Sequence, residues 1–195
     1  MSASERSFAC AQDDVNTKVK MKKGLLIALL CIIADQVHKY IMIYIVEMAK
    51  FTLNGFPVIE SGSKVIKVTE FFNLVMVWNK GVSFGMFNAV EIAAYQPFIL
   101  ILLSLAITIG LLFWLRKATN KWQILGIGLI VGGAVGNVID RIIYGAVADF
   151  FDFHLGLQHW PAFNIADSCI CVGVFILVLE SFFDIKKKNV SNEKN

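Results

Sequence analysis

Charge is scarce in this chain. Asp, Glu, Lys and Arg make up 17% of its 195 residues, against 57% hydrophobic ones. A soluble domain of this length needs more polar surface, so that class is excluded. The mean hydropathy of +0.67 points instead to an integral membrane protein. Cysteine is sparse too. Of Cys10, Cys31, Cys169 and Cys171, the last three lie in apolar runs, where a thiol behaves as a small hydrophobe. One residue, not two, separates Cys169 from Cys171, and neither a disulfide framework nor a cysteine metal site is indicated. The three prolines, Pro57, Pro97 and Pro161, avoid the middle of every apolar run, and Pro97 stands where a helix would begin. Missing altogether are an HExxH helix, a Gly-x-Ser-x-Gly elbow, a phosphate loop and a basic stripe, which argues against zinc peptidases, serine hydrolases, nucleotide enzymes and nucleic-acid binding. His154, His159, Asp149 and Asp152 come nearest to a metal cluster but lack a paired-His helix, so no metal and no cofactor are expected.

What the chain does have is apolar length. Four runs, roughly 24–46, 97–115, 122–143 and 164–183, are long enough to cross a bilayer, which takes about 20 helical residues. Lys18, Lys20, Lys22 and Lys23 precede the first. Arg116, Lys117 and Lys121 fill the connection from the second to the third, and Lys186, Lys187 and Lys188 follow the fourth. Residues 144–163 contain neither Lys nor Arg. By the positive-inside rule both termini are expected on the cytoplasmic side of the membrane. The first connection, expected outside, does carry Lys50, Lys64, Lys67 and Lys80, but long loops count less. Residues 1–20 are polar and aperiodic, which predicts a mobile extension. No Ala-x-Ala site follows the first run, and Leu30 is too large a neighbour for Cys31 to be a lipoprotein processing site, so the run is expected to be a retained helix. A single membrane-embedded domain over 21–188 and a tail over 189–195 follow.

The first outer connection, about 47–95, has the makings of a small sheet. Asn54-Gly55 is a turn signal. Val65 to Thr69 alternates and is β-branched, and Phe71 to Trp78 reads as a second strand. The expected fold is therefore a mainly α membrane protein of four transmembrane helices with a small β-sheet outside.

Within this frame a few polar residues stand out. Asp149 and Asp167 fall where the third and fourth runs meet the outer surface. A carboxylate at the edge of hydrocarbon is costly, and its default reading is a functional site with a partner; here each is the natural partner of the other. Gly128, Gly132 and Gly136 recur every fourth residue and give a smooth face for a neighbouring helix. Gly133, Asn137, Asp140, Arg141 and Tyr144 share a second, polar face. Asp140 and Arg141 suit an end-of-helix ion pair, whereas Asn137 lies a turn deeper. Asp35 and Lys39, at i and i+4 in the favourable order, suit a structural ion pair or a site-supporting one. His38 beside them is expected to be neutral and satisfied. Asn79, in Trp78-Asn79-Lys80-Gly81-Val82-Ser83-Phe84-Gly85, could present its amide to a peptide.

In order along the chain stand Asp35-Gln36-x-x-Lys39, Asn79-x-Gly81-x-x-Phe84-Gly85, Gly132-Gly133-Ala134-x-Gly136-Asn137-x-x-Asp140-Arg141, Val147-x-Asp149-Phe150 and Phe163-Asn164-x-Ala166-Asp167. This set resembles lipoprotein signal peptidase, the type II signal peptidase of bacteria, over about residues 24–184. Val82-Ser83 departs from the smaller residues usual in that family. The resemblance implies an aspartyl endopeptidase with Asp149 and Asp167 as its catalytic pair. Its substrates would be prolipoproteins carrying a diacylglyceryl group on the lipobox Cys, cut just before that Cys. It implies further that Asn79, Gly81, Asn137, Arg141, Asn164 and Ala166 bind substrate or support the site, and that Asp35, Lys39 and Asp140 hold the helices. Phe150, Phe151, Phe153, Trp160 and Phe163 would form an aromatic belt, with Asp152 facing water. Membrane lipids are the expected surroundings, nucleic acid is not a partner, and a monomer is expected. The alternative is a small four-helix transporter or channel with Asp35, Lys39, Asp140 and Arg141 along a polar path, which would need polar groups leading to both faces.

Overall fold

The structure, a computed structural model, describes residues 3–46, 48, 64–81 and 90–192. The Asn54-Gly55 turn and the Val82-Ser83-Phe84-Gly85 end of the second motif lie outside these residues. Four helices are long and apolar enough to cross a membrane: α1 (Ala3–Tyr40), α2 (Val90–Lys117), α3 (Lys121–Tyr144) and α4 (Ile165–Asn192). Their apolar spans, Asp14–Ile45, Tyr95–Lys117, Lys121–Tyr144 and Ile165–Asp184, contain the four expected runs almost entirely. Helix α1 starts well before the first apolar run and passes through residues that the sequence left without an element. A helix already nucleated by a long apolar segment extends at little cost per residue. Pro97 lies inside α2, beyond its first turn, where it removes one i→i−4 bond instead of opening the helix.

Helix α3 is the interior one, with 61% of its most apolar stretch buried against 11% for α2 and α4. Its ends are fixed locally. Asn120 accepts hydrogen bonds from Trp122 N (2.9 Å) and Gln123 N (3.0 Å), and Gly145 closes the helix in the left-handed region at φ 72°. The four-residue glycine spacing does what it predicts. A Cβ on Gly128 would lie 2.9 Å from the Gly24 carbonyl oxygen, one on Gly132 2.7 Å from that of Ala28, and one on Gly136 2.8 Å from an Asp35 carboxylate oxygen. This face therefore packs on the α1 backbone. On the other side Gly126 and Gly173 bring α3 and α4 together equally closely, and Gly133 abuts the Ala166 carbonyl.

A four-stranded antiparallel sheet in the order β1-β2-β3-β4 covers one end of the bundle. Strands β1 (Val65–Lys67) and β2 (Phe72–Asn79) are those expected from the first connection. Strands β3 (Val147–Leu155) and β4 (Gln158–His159) come from the connection between α3 and α4, where none was expected. Aspartate is depleted in strands, and Asp149 and Asp152 mask the strand signal of Val147 to Leu155. Strand β3 crosses β2 with a register shift between Leu74 and Val77, so that Val77 pairs with Asp149 and Asn79 with Val147. Beneath the sheet, α1 widens into a π-helical turn, Ile41–Ile45, whose Val46 N bonds to Ile41 O at 2.8 Å. That turn buries the adjacent Met42 and Ile43 together, under Met48, Met76, Trp78 and Phe150. Burying Phe150 completely stabilises the sheet–bundle junction by about 1.5–3 kcal/mol. Phe150 is therefore core, not belt; of the five aromatics expected at the surface, Phe153 and Trp160 are well exposed.

Candidate active site

The polar centre lies where the sheet meets the outer turns of α1, α3 and α4, and it is built in two tiers. The lower tier begins with the i,i+4 pair on α1. Lys39 Nζ lies 2.8 Å from Asp35 and 2.7 Å from Asp140 on α3, all three buried. One lysine facing two carboxylates leaves a net negative charge, which neutral donors disperse. Gln36 Nε2 donates to Asp35 (3.1 Å) and Asp140 (3.0 Å), Ala166 N to Asp35 (3.0 Å), and Ala148 N to Asp140 (3.1 Å). These bonds tie α1 and α3 to the first turn of α4 and to β3. Ala166 therefore acts through its backbone and its close packing on Gly133. The sequence reading omitted Gln36 from the site; its place beside Asp35 in the motif was the available signal.

The upper tier holds the two aspartates. Asp149 on β3 is 1% exposed, and Asp167 in the first turn of α4 is partly exposed. Asn164 joins them. Its Oδ1 accepts from Asp167 N (2.9 Å) while Asp167 Oδ2 accepts from Asn164 N (3.3 Å), the reciprocal arrangement of a helix-capping box. Its Nδ2 donates to Asp149 Oδ1 at 2.7 Å. The same amide thus starts α4, orients one carboxylate and holds the other. Asn137, one turn before Arg141, donates to Asp167 Oδ1 at 2.8 Å, and its Oδ1 receives Asn164 Nδ2 (3.2 Å) and Lys39 Nζ (3.5 Å), connecting the tiers. Asn79 at the end of β2 donates to Asp149 Oδ2 at 3.0 Å. Gly81 fixes that amide by donating its N–H to Asn79 Oδ1 at 2.9 Å. It does so at φ 122°, where a Cβ would also lie 2.6 Å from Gln96 and Leu100 atoms.

Burial, and then the charge of Asp167, push the Asp149 carboxyl up to about 7 against the hydrogen bonds from Asn79 and Asn164. Arg141, whose Nη1 donates to the Asn137 carbonyl at 3.4 Å, lies within electrostatic reach of Asp167, Asp140 and Asp149. Its Nε is buried without a hydrogen-bond partner among the described residues. Every residue expected at the site is thus brought to this centre.

Two neighbouring expectations need correction. Asp152 does not face water: it is 6% exposed, bonded to Asn73 Nδ2 (3.0 Å) and His159 Nδ1 (2.8 Å). Burial alone would raise its carboxyl, but these two partners outweigh it and hold it below the usual range. Strand β3 turns Asp152 under β2 and β4, which the sequence could not show without the strand. His38 packs on Phe150 and Phe151, and its Nδ1 is buried without a hydrogen bond among the described residues, so it is not satisfied. Among those residues no three His, Cys, Asp or Glu side chains are placed to hold a metal ion.

Fold and site together define a polytopic membrane protein with two carboxylates joined by amides at one end of a four-helix bundle. The chain belongs to the signal peptidase II family: the model of that family matches residues 27–183, most of the chain, and makes it a peptidase. It is 39% identical to the lipoprotein signal peptidase of Maridesulfovibrio salexigens over 76% of this chain and 99% of that protein. The identity to the lipoprotein signal peptidase of Aeromonas hydrophila is also 39%, over 87% and 93%. Among solved structures, a bacterial membrane enzyme determined by the in meso method at 2.3 Å resolution superposes with a TM-score of 0.66 and 28% identity, covering 85% of this chain and 90% of that one.

Proposed function

We propose that this protein is an aspartic endopeptidase that removes the signal peptide from diacylglyceryl-modified prolipoproteins, cutting before the lipidated Cys. The observation that carries the reading is the Asn164 bridge, which joins Asp149 and Asp167 in one centre, where burial and the charge of Asp167 raise the Asp149 carboxyl to about 7. Asp167 takes a proton from water, and the resulting hydroxide attacks the scissile carbonyl. Asp149 gives its proton to the carbonyl oxygen, forming a neutral gem-diol. The intermediate collapses as Asp167 gives its proton to the amide nitrogen, Asp149 takes one back from a gem-diol hydroxyl, and the C–N bond breaks, with no covalent enzyme adduct. Arg141, Asn79 and Asn137 hold substrate or orient the pair.

The topology fits the same reading. The start of α1 at Ala3 and the end of α4 at Asn192 lie away from the sheet, and the basic residues near that end favour the cytoplasmic side for it. The carboxylates then sit at the outer face of the inner membrane, where a diacylglyceryl anchor holds the scissile bond. Its buried chains contribute about 0.8 kcal/mol per CH₂ of membrane attachment, so a monomer needs little soluble binding surface. A transporter is not favoured, because the buried charged side chains Asp35, Lys39, Asp140 and Asp149 gather at one end and do not continue as a buried path along the described helices.

The test is cleavage of matched precursors, with and without the diacylglyceryl group, in one bilayer. The lipidated form should be processed and the unlipidated form poorly. Equal rates would reject lipid-dependent recognition and leave a general aspartic membrane protease.

A further inference from the structure

At the opposite end of the bundle a second polar cluster interrupts the apolar surface. Glu180 on α4 accepts from Asn120 Nδ2 at 2.6 Å and from Gln123 Nε2 at 3.1 Å, both on its Oε1. Asn120 spends its own oxygen on capping α3, so the amide of one residue ties the start of α3 to Glu180 of α4. Glu180 also lines two adjoining grooves, of about 330 and 250 Å³. The first is polar at its rim, with Asn120 and Asp184; the second is apolar, with Ile176 and Leu179. Trp122 and Phe183 line both, and both are largely exposed. Lys121, between Asn120 and Trp122 in the chain, holds its Nζ 5.1 Å from the Trp122 ring.

The grooves thus form one channel, anionic and cationic at the rim and greasy below. It opens on the flank of α3 and α4 that faces hydrocarbon if these helices span a bilayer. Helix α3 has 24 residues, and at about 1.5 Å per residue it separates this cluster from the carboxylate pair by roughly the thickness of a bilayer core. None of these residues takes part in the chemistry above.

We propose that this channel binds one aminophospholipid of the leaflet remote from the carboxylate pair. The lipid ammonium donates to Glu180, the phosphate faces Lys121, and an acyl chain lies along Trp122, Ile176, Leu179 and Phe183. Charge complementarity selects the headgroup. A primary ammonium has N–H donors for the carboxylate, a glycerol headgroup has no cation to offer, and a choline has a cation without donors. An aromatic ring at the interface of a groove suits the boundary between headgroup and chain.

The experiment uses the full-length protein purified from nanodiscs of equimolar phosphatidylethanolamine and phosphatidylglycerol, with retained lipid counted by native mass spectrometry. The wild type should retain phosphatidylethanolamine over phosphatidylglycerol by about three-fold or more, the scale of one partly exposed charge pair. Glu180→Gln keeps an oxygen for Asn120 and Gln123, so the helix tie survives, and the preference should fall to the bulk ratio. An unchanged preference in Glu180→Gln overturns the proposal, as does a wild type that retains neither lipid above the bulk ratio. A lipid-free dimer that dissociates in Glu180→Gln would place a lysine of a second copy in the channel, and also overturns it. A parallel Trp122→Ala variant should lose both lipids; retention at wild-type levels would likewise contradict the assignment of the groove.

Discussion

Two pairs of aspartates share this bundle end, and they have opposite fates. Asp35 and Asp140 are buried and so is Asp149, yet the first two flank a lysine at 2.8 and 2.7 Å while the last faces only amides at 2.7 and 3.0 Å. The lysine cancels one of the two charges and ties both carboxylates between helices, while neutral donors disperse the other charge. Amides orient a carboxylate without cancelling its charge, so burial and Asp167 raise the proton affinity of Asp149 to about 7. The two clusters thus differ in the formal charge of the donors that face them, while their acids are alike in type.

That contrast breaks most visibly when the pairs are mutated in parallel. Asp149→Asn and Asp167→Asn should each lower cleavage of a lipidated precursor by a factor of about 10³ or more, the scale of a lost acid or base acting in concert with its partner. The protein should remain folded and inserted, because each substitution keeps one of the two oxygens on which its aspartate accepts hydrogen bonds. Asn at 149 turns one amide donor away at a cost of about 1–3 kcal/mol, which a detergent melting curve will register. A single Asn variant with wild-type turnover would place the chemistry elsewhere.

Lys39→Met should do the reverse. It leaves two buried carboxylates uncompensated, worth about 3–5 kcal/mol of stability, so folded yield should collapse while molecules that do fold keep most of their activity. Normal yield with lost turnover would move Lys39 into the reactive tier. A smaller effect is expected where α1 and α3 meet without charge. Gly132→Leu pushes on the Ala28 carbonyl and the Cys31 side chain, both 2.7 Å from the added Cβ. Overpacking of this kind costs about 1–3 kcal/mol, read as a lower melting temperature with activity per folded molecule retained.

Legibility in the sequence followed the range of the interactions. The apolar spans, the glycine face and the Asp35–Lys39 pair are periodic or local, and could be read from spacing. Strands β1 and β2 announced themselves by alternation; β3 did not, because the residues that make it functional are poor strand formers. The reach of Asp149 toward Asn164 depends on β3 and on the capping box of α4 together. Asp152, assigned to water from its position beside the motif, is buried for the same reason. Arg141 and Asn137 could be placed on one helix face, but the link from Lys39 through Asn137 to Asp167 crosses three helices, and no spacing rule contains it.

The central claim is that one proton is shared by the Asp149–Asp167 pair, and the pH dependence of kcat/KM on a lipidated precursor tests it most directly. Asp149 has its folded affinity raised above the usual carboxylate range, so the protonated form is present below about 7 and is lost as pH rises through that value. Cleavage should therefore fall on the alkaline side of about pH 7, approaching ten-fold per pH unit, while the protein stays folded. A rate that holds level from pH 7 to about pH 9 would show that no proton on this pair is needed, and would contradict the account.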